Sequence, residues 1–510
     1  MARVVVDPAE AEAWLRPRSD VVLERPVDGD AGRTARFAAD EGPFSAYERV
    51  VEAVPQPDGC VEVTSTARFT LAVPWFAWLF VLPTRARLRR LPTSGGAWWA
   101  PPDRLDPRAA SVLGMLAVLS LVGGYLGTLL TQTITYAAEG FGVEGDSAQG
   151  QALATVRIGI LLALVLVTMA DRRGRRPLLL ITAVGGCAVA ATGALTPTLP
   201  WLTASQTVAR ALSAALGILI TVVAAEEMPR GSRAYAISVL GMAAALGAGL
   251  CVIALPLADL GDHGWRVLYV LPLLGLPLCR SVARSFPESR RFVRQHRDVP
   301  LAGHGRRLAL LATSTFLLAL FTAPASQFQN EFLRDERGYS AAGITLFTLL
   351  TNTPGGIGVV IGGRLADVRG RRLVGAVGLL GGVGGTVAMY LSSGPPLWLW
   401  SVFGAVLGAA TIPALGVYGP ELFPTSLRGR ANGLIGVLAV LGSVVGLLAA
   451  GTLSDELGGL GPAVSVLSFG PALVAVLVLT LYPETAHTEL EDLNPEDRVA
   501  PADPGYAPRP

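Results

Sequence analysis

The sequence predicts an all-α membrane protein of twelve transmembrane helices, arranged as two parallel six-helix repeats behind a small cytoplasmic N-terminal appendage of α+β or mainly β structure. Three observations predict it. Of 510 residues 51% are apolar and 16% charged, with a mean hydropathy of +0.49, against about 25% charge in an average soluble protein. The apolar residues gather into runs of the roughly 20 residues that a bilayer requires. The basic residues alternate from loop to loop. All 41 are Arg; 26 lie in loops on one side of the runs and three, Arg266, Arg334 and Arg337, on the other. Translocating cationic loops is disfavoured, so both termini are expected in the cytoplasm of a multi-pass inner-membrane protein. A net charge of +2 in short clusters gives nucleic-acid binding no support. Cys60, Cys187, Cys251 and Cys279 stand far apart, without the spacing of a disulfide framework or a metal site. No nucleotide-binding glycine loop and no nucleophile with a base is visible, so neither an enzyme, a cofactor nor an ATP-driven pump is expected.

Residues 1–108 form the appendage. The first 68 contain no spanning run and no signal peptide. Alternating stretches at Asp20 to Glu24, Phe44 to Val54 and Cys60 to Leu71 predict a small antiparallel sheet. Residues 69–82 are apolar but too short to span, are interrupted by Pro74, contain Trp75, Phe76, Trp78 and Phe80, and end in Arg85, Arg87, Arg89 and Arg90. They read either as an interfacial segment over 69–92 or as a buried helix of the appendage. Apolar length and breakers then place six spans in 109–285, at 110–131, 151–170, 177–196, 201–224, 234–256 and 266–284. Six more fall in 307–482, at 307–327, 341–363, 373–392, 397–419, 431–453 and 460–481. A cytoplasmic loop, 286–306, joins the halves, and the acidic, proline-rich tail 483–510 is expected to be disordered.

The two halves repeat. Asp171-Arg172-Arg173-Gly174-Arg175-Arg176 returns 196 residues later as Asp367-Val368-Arg369-Gly370-Arg371-Arg372. Glu226, Pro229 and Arg233 return as Glu421, Pro424 and Arg428, and Pro287-Glu288-Ser289 as Pro483-Glu484-Thr485. Unrelated motifs at one offset, each at the same place relative to its spans, imply a duplicated six-helix unit in parallel orientation.

With these motifs in hand, residues 110–492 resemble the major facilitator superfamily. The loops after spans two and eight match its GxxxDxxGRR signature, the first with Val167 where Gly is expected. PESRRFV, PELFPTSLRGR and PETAHTELED resemble its sugar-porter and organic-ion-transporter branch. The resemblance implies a monomeric secondary transporter of a small molecule, working by alternating access. It implies, too, that Asp171, Arg175, Arg176, Glu226, Arg233 and Glu288, with Asp367, Arg371, Arg372, Glu421, Arg428 and Glu484, pair at the cytoplasmic face and lock the halves in the outward-open state. Opposite charges at one low-dielectric interface favour such pairing.

Charge inside the membrane defaults to function. Arg210 lies near the midplane of span four and Arg157 about 9 Å deep in span two, and no acid occupies the interior of any span. In the resembling family the first span often carries GYD, whose acid couples protons. Here it reads Gly124-Tyr125-Leu126, so no span residue marks a coupling ion. Two desolvated cations require compensation. Either a small organic anion supplies it, or Arg210 bonds to backbone carbonyls while Arg157 reaches Glu139. Thr128, Thr131, Gln132 and Thr135 share one face of span one. Together with Tyr125, Gln327, Asn330, Glu331 and Asn352, the last beside a break at Pro354 and Gly355, they are candidates to line a wet cavity. Each alone reads equally as helix-to-helix hydrogen bonding. The function expected is transport of a small organic solute, with an organic anion as the sharper form. The alternatives are an exporter of amphipathic or lipid-like compounds or drugs, a sugar transporter, or a membrane-anchored sensor or lipid-binding domain. Sugar-porter motifs in span seven and the drug-antiporter motif in span five are absent.

Overall fold

The computed structural model describes residues 2–27, 34–57, 59–92, 97, 99–143, 152, 155–156, 159–259, 261, 263–290, 301–329, 332–339 and 341–497. They divide into two compact units, one made of Met1–Leu116 with Glu227–Ser232, the other of Ala117–Glu226 with Arg233–Pro510.

The first unit is built on five antiparallel strands, β1 (Ala2–Val6), β2 (Leu23–Pro26), β3 (Thr34–Glu41), β4 (Phe44–Pro55) and β5 (Val61–Leu71), in the order β1-β5-β4-β3-β2. Side chains alternate between faces along a strand. Val51 and Ala53, opposite Ser65 and Val63, are therefore buried, while Glu48 stands opposite Arg68 on the other face. Helix α1 (Pro8–Trp14) starts where the Asp7 carboxylate accepts the Glu10 N–H at 2.8 Å, an N-cap with proline in the first turn. It lays Ala11 and Trp14 against Val6, Phe37, Val51 and Val63. Helix α2 (Ala77–Leu88) adds Leu88 to a second cluster with Val22 and Phe44. Two buried arginines tie these layers together. Arg49 pairs with Glu24 at 2.6 Å and donates to the Trp14 carbonyl. Arg18 pairs with Asp20 at 2.8 Å and donates to the carbonyls of Arg87 and Arg90 at the C-terminal end of α2, where the helix dipole favours a cation. Burial, and then the Glu24 charge, push the Tyr47 phenol above its usual range. The sheet is larger than the sequence suggested: β1, β3 and α1 were not anticipated, and β2 starts at Leu23 rather than Asp20.

The second unit is helical. After α3 (Pro107–Gly140) come α4 (Gly159–Arg173), α5 (Arg175–Thr192), α6 (Leu199–Glu227), α7 (Arg233–Ala254), α8 (Trp265–Val270) and α9 (Gly275–Ser285). The second half contributes α10 (Gly305–Gln327), α11 (Ala341–Asn352), α12 (Gly355–Arg369), α13 (Arg371–Tyr390), α14 (Pro395–Gly416), α15 (Tyr418–Glu421), α16 (Arg428–Leu457), α17 (Leu460–Leu467) and α18 (Phe469–Thr480). Among the described residues eleven helices are long and apolar enough to cross a membrane. The span expected at 151–170 is seen as α4, and most of its first eight residues lie outside the described residues. Helix α3 runs nine residues past the expected end at 131, because no breaker stands before Gly140. The eighth span breaks between Asn352 and Gly355, as Pro354 predicted.

Small residues let backbones touch. A Cβ at Gly124 of α3 or Gly247 of α7 would collide with the carbonyls of Ala244 and Leu121, and one at Gly442 or Gly446 of α16 with those of Phe316 and Leu320 in α10. The first and fifth spans thus cross in the same manner in each half. Val165, Ile253, Leu399 and Leu448 are exposed, whereas Arg175, Arg233, Arg371 and Arg428 are buried. That inversion suits a chain solvated by lipid rather than water. The tail departs from expectation. Up to Asp497 it is folded, with a short helix, α19 (Leu490–Leu493), and with Asn494 and Asp497 buried.

Candidate functional site

The duplicated motifs converge at the arginine-rich end of the bundle, and the geometry is itself duplicated. Helices α5 and α13 both begin after a glycine in a backbone conformation reserved for that residue, Gly174 at φ +105° and Gly370 at φ +101°. Each exposed helix N-terminus then receives a carboxylate. Glu288 accepts the N–H groups of Arg175 and Arg176 at 2.9 and 3.2 Å, and Glu484 those of Arg371 and Arg372 at 2.9 and 3.2 Å. Free N–H groups and the dipole make this a natural anion site. The resemblance had cast Arg176 and Arg372 as joining the halves. Instead Arg176 donates to the Ala283 carbonyl and Arg372 to the Val478 and Leu479 carbonyls, so each grips the last helix of its own half.

Two carboxylates form the centres of two buried clusters. Glu226, at the end of α6, accepts from Arg175 of its own half at 3.4 Å, from Arg428 of the other half at 3.0 Å, and from the Ser289 hydroxyl at 2.6 Å. Glu421, its repeat, accepts from Arg371 of its own half and from Arg233 of the other half at 3.3 Å. Each glutamate therefore binds one arginine from either side, and all six side chains are 0% exposed. Asp367 adds a third link, accepting the Ala234 and Tyr235 N–H groups at the start of α7 at 3.3 and 2.9 Å while pairing with Arg371 at 3.1 Å. The Arg175 guanidinium also donates to the Thr425 carbonyl across the halves at 2.6 Å. The side chain of Asp171 lies outside the described residues.

Sequence reasoning missed the tail's part in this site. Asp497 accepts from the N–H and hydroxyl of Thr425 at 2.9 Å and from Arg428 at 3.3 Å. Asn494 donates to the Glu421 carbonyl at 2.8 Å and accepts from Arg307 at 3.1 Å. Ser289 and Thr485 were visible in the repeated motifs, but their hydroxyls were not assigned; Thr485 receives Arg371 at 2.8 Å.

The second group of candidates lies along α3 and α6. Arg210 is exposed, and one nitrogen donates to the Gly127 carbonyl at 2.7 Å, as the backbone-bonding reading of Arg210 expected. A Cβ at Gly127 would meet that guanidinium at 3.5 Å. Ser213, one turn along α6, donates to the Gly123 carbonyl at 3.3 Å. Thr128 bonds back to Gly124 at 3.0 Å and Gln132 is half-buried. Tyr125 does not join the exposed group: it is buried and its hydroxyl donates to the Leu268 carbonyl at 2.9 Å, pinning α3 to α8. Gln327 and Asn352 are exposed at the ends of α10 and α11. Arg157, Asn330 and Glu331, and the side chains of Glu139 and Thr135, lie outside the described residues.

Residues 310–507 match the family model of the Major Facilitator Superfamily. Over 389 residues, 73% of this chain and 95% of the relative, the sequence is 28% identical to a chloramphenicol resistance protein of Streptomyces lividans. It is 29% identical over 222 residues, 37% of this chain and 51% of the relative, to the cis,cis-muconate transport protein of Acinetobacter baylyi. Among solved structures, the proton:xylose symporter XylE bound to 6-bromo-6-deoxy-D-glucose superposes with a TM-score of 0.64 at 18% identity, covering 76% of this chain and 98% of that one. The human organic anion transporter MFSD10 does so with a TM-score of 0.60 at 17% identity, covering 72% and 98%. These likenesses share a fold.

Proposed function

We propose that this chain is a transporter of the major facilitator type, and more particularly that it carries out outward transport or exchange of a small organic anion by alternating access. Twelve spans act as two six-helix repeats, with both ends of the chain on the cytoplasmic side. The observation that carries the reading is Arg210, an exposed guanidinium part-way along α6 that reaches the Gly127 carbonyl of α3, in a chain whose spans hold no interior acid. The planar fork of an arginine suits a carboxylate ligand. Two relatives point the same way by name: one transports muconate, a dicarboxylate, and one an organic anion. The buried clusters around Glu226 and Glu421 support a cytoplasmic latch closed in this conformation, with the exposed Arg210 open to the other side. A second reading, export of a neutral drug, is favoured by the length of the match to the chloramphenicol resistance protein.

Thermal-shift titration of the purified protein separates the two. A carboxylate such as muconate should stabilise the wild type in proportion to its occupancy. Arg210→Ala should weaken that binding by about 1.5 to 3 kcal/mol, the range of a hydrogen bond to a charged group, which is at least roughly tenfold in affinity. Stabilisation by chloramphenicol, retained in Arg210→Ala, with no response to carboxylates, would establish the second reading instead.

A further inference from the structure

Beside the sheet of the first unit lies a cavity of about 670 Å³ whose lining includes Ser65, Arg68 and Phe69 of β5 with Val81, Arg85 and Arg89 of α2. The arginines of this unit divide into two kinds. Arg18, Arg49 and Arg87 are held by Asp20 and Glu24. Arg68, Arg85 and Arg89 form no side-chain hydrogen bond or ion pair among the described residues, even though Glu48 stands opposite Arg68 in the strand register. Three unneutralised guanidiniums around one cavity generate a field that attracts an anion, and the fork of Arg suits a phosphate.

The surroundings identify which anion. Trp78, Leu82, Arg85 and Arg89 follow one another at four-, three- and four-residue spacing, so they form a single stripe along α2. Its first two turns are apolar and uncovered, Trp78 and Leu82 each being 70% exposed; its last two are the arginines of the cavity. Val73 and Pro74, which lead into α2, abut α3: a Cβ at Gly114 would come within 2.8 Å of Pro74 and 3.3 Å of Val73. Gly114 is seven residues inside a membrane-spanning helix, about 10 Å along its axis. The apolar start of α2 is thereby held at bilayer level, and tryptophan with leucine backed by arginine is the composition of an interfacial helix.

We infer that α2 inserts its Trp78–Leu82 face into the membrane surface and that the cavity of Arg68, Arg85 and Arg89 takes the headgroup phosphate of an anionic phospholipid. The inference rests on the membrane-spanning reading of the chain and not on the Arg210 site. It also unites the two sequence-level readings of this segment, since α2 packs Leu88 into the domain and offers its other face to lipid.

The test uses the full-length protein in detergent, titrated with dioleoylphosphatidylglycerol, dioleoylphosphatidylcholine or inorganic phosphate, with bound lipid counted by native mass spectrometry. Phosphatidylglycerol should bind in preference to phosphatidylcholine, and inorganic phosphate should neither bind comparably nor displace it. Arg85→Gln and Arg89→Gln should each weaken phosphatidylglycerol binding roughly fivefold, the factor one surface arginine contributes toward anionic lipid. The charge-preserving Arg85→Lys should lose less. Trp78→Ser with Leu82→Ser should weaken both lipids together. Equal retention of phosphatidylglycerol by the wild type and by either glutamine variant would overturn the proposal, and so would phosphate competing as well as the lipid. Carboxylate binding at Arg210, measured on the same variants, should be unchanged, so that failure of one reading is distinguishable from failure of the other.

Discussion

Glu421 and Asp497 illustrate how unequally two buried carboxylates of one cluster are committed. Glu421 is the acceptor for Arg371 and Arg233 at once, so neutralising it weakens the pairing of two desolvated guanidiniums, leaving Arg371 with Asp367 and Arg233 with the more distant Glu489. Breaking a buried pair in this manner costs about 3 to 5 kcal/mol. Asp497 shares Arg428 with Glu226, which keeps that guanidinium paired when Asp497 is neutralised, so its loss costs about 1 to 3 kcal/mol, the range for unsatisfied buried groups. Glu421→Gln should therefore lower the melting temperature more than Asp497→Asn. It should also open the arginine-rich end, read as faster labelling of a cysteine introduced there. Equal shifts, or no gain in labelling, would remove Glu421 from the role of latch. The two residues differ in legibility for a related reason. Glu421 has a counterpart at Glu226 with an arginine seven residues on, so duplication singles it out. Asp497 has no counterpart in the first half and reaches a partner 72 residues away, and a tail rich in acid and proline reads as solvated.

Helix starts and crossings are the next level at which the duplication is enforced. The sequence marked the glycine of each DxxGRR-type loop, and its cause is local: after α4 and α12 the chain must take a left-handed step so that α5 and α13 can present their first N–H groups to Glu288 and Glu484. Gly370→Ala should be costly on two counts, since φ +101° strains any side chain and the new Cβ would meet Glu484 at 2.8 Å. Non-glycine residues in such conformations cost about 1 to 3 kcal/mol. Gly384→Ala in α13, with open space around it and an ordinary backbone, should stabilise or leave unchanged, by up to about 1 kcal/mol. Differential scanning fluorimetry of the two purified variants decides the matter, and similar melting temperatures would refute it. Long apolar spans were legible because length and breakers alone define them. The appendage was less so. Helix α1 is seven residues long and β1 five, below the window in which period 3.6 and period 2 can be told apart, and Arg49, which alternation places inward on β4, is a buried charge that an apolar/polar pattern misassigns.

For the molecule as a whole, the proposed function makes the ion-pair links at one end and the exposed arginine part-way along the bundle set the energetics of a cycle. In this conformation the links between the halves at the arginine-rich end include Glu226–Arg428, Arg233–Glu421, the Arg175 bond to the Thr425 carbonyl and the Asp367 link to α7. Under the proposed alternating access, opening that end must break these links, and the compensation has to come from contacts made on the opposite side or from the substrate. An anion on Arg210 also changes the charge that moves. With no interior acid in the spans to carry a proton alongside, net uptake of a monovalent anion would run against an inside-negative potential at about 2.3 kcal/mol per charge per 100 mV. That corresponds to a roughly 50-fold adverse gradient per 100 mV. Export along the same potential is favoured by the same factor, and one-for-one exchange is indifferent to it. Proteoliposomes loaded with a carboxylate, and clamped with potassium and valinomycin, should therefore release it faster when the interior is negative, or show no voltage dependence but an absolute need for a carboxylate on the far side. Arg210→Ala should abolish either behaviour without releasing those links, because it stands sixteen residues before Glu226 on α6, about 24 Å along the helix axis. Voltage-independent movement of a neutral solute, unchanged in Arg210→Ala and indifferent to carboxylate on either side, would return Arg210 to bracing α6 against α3.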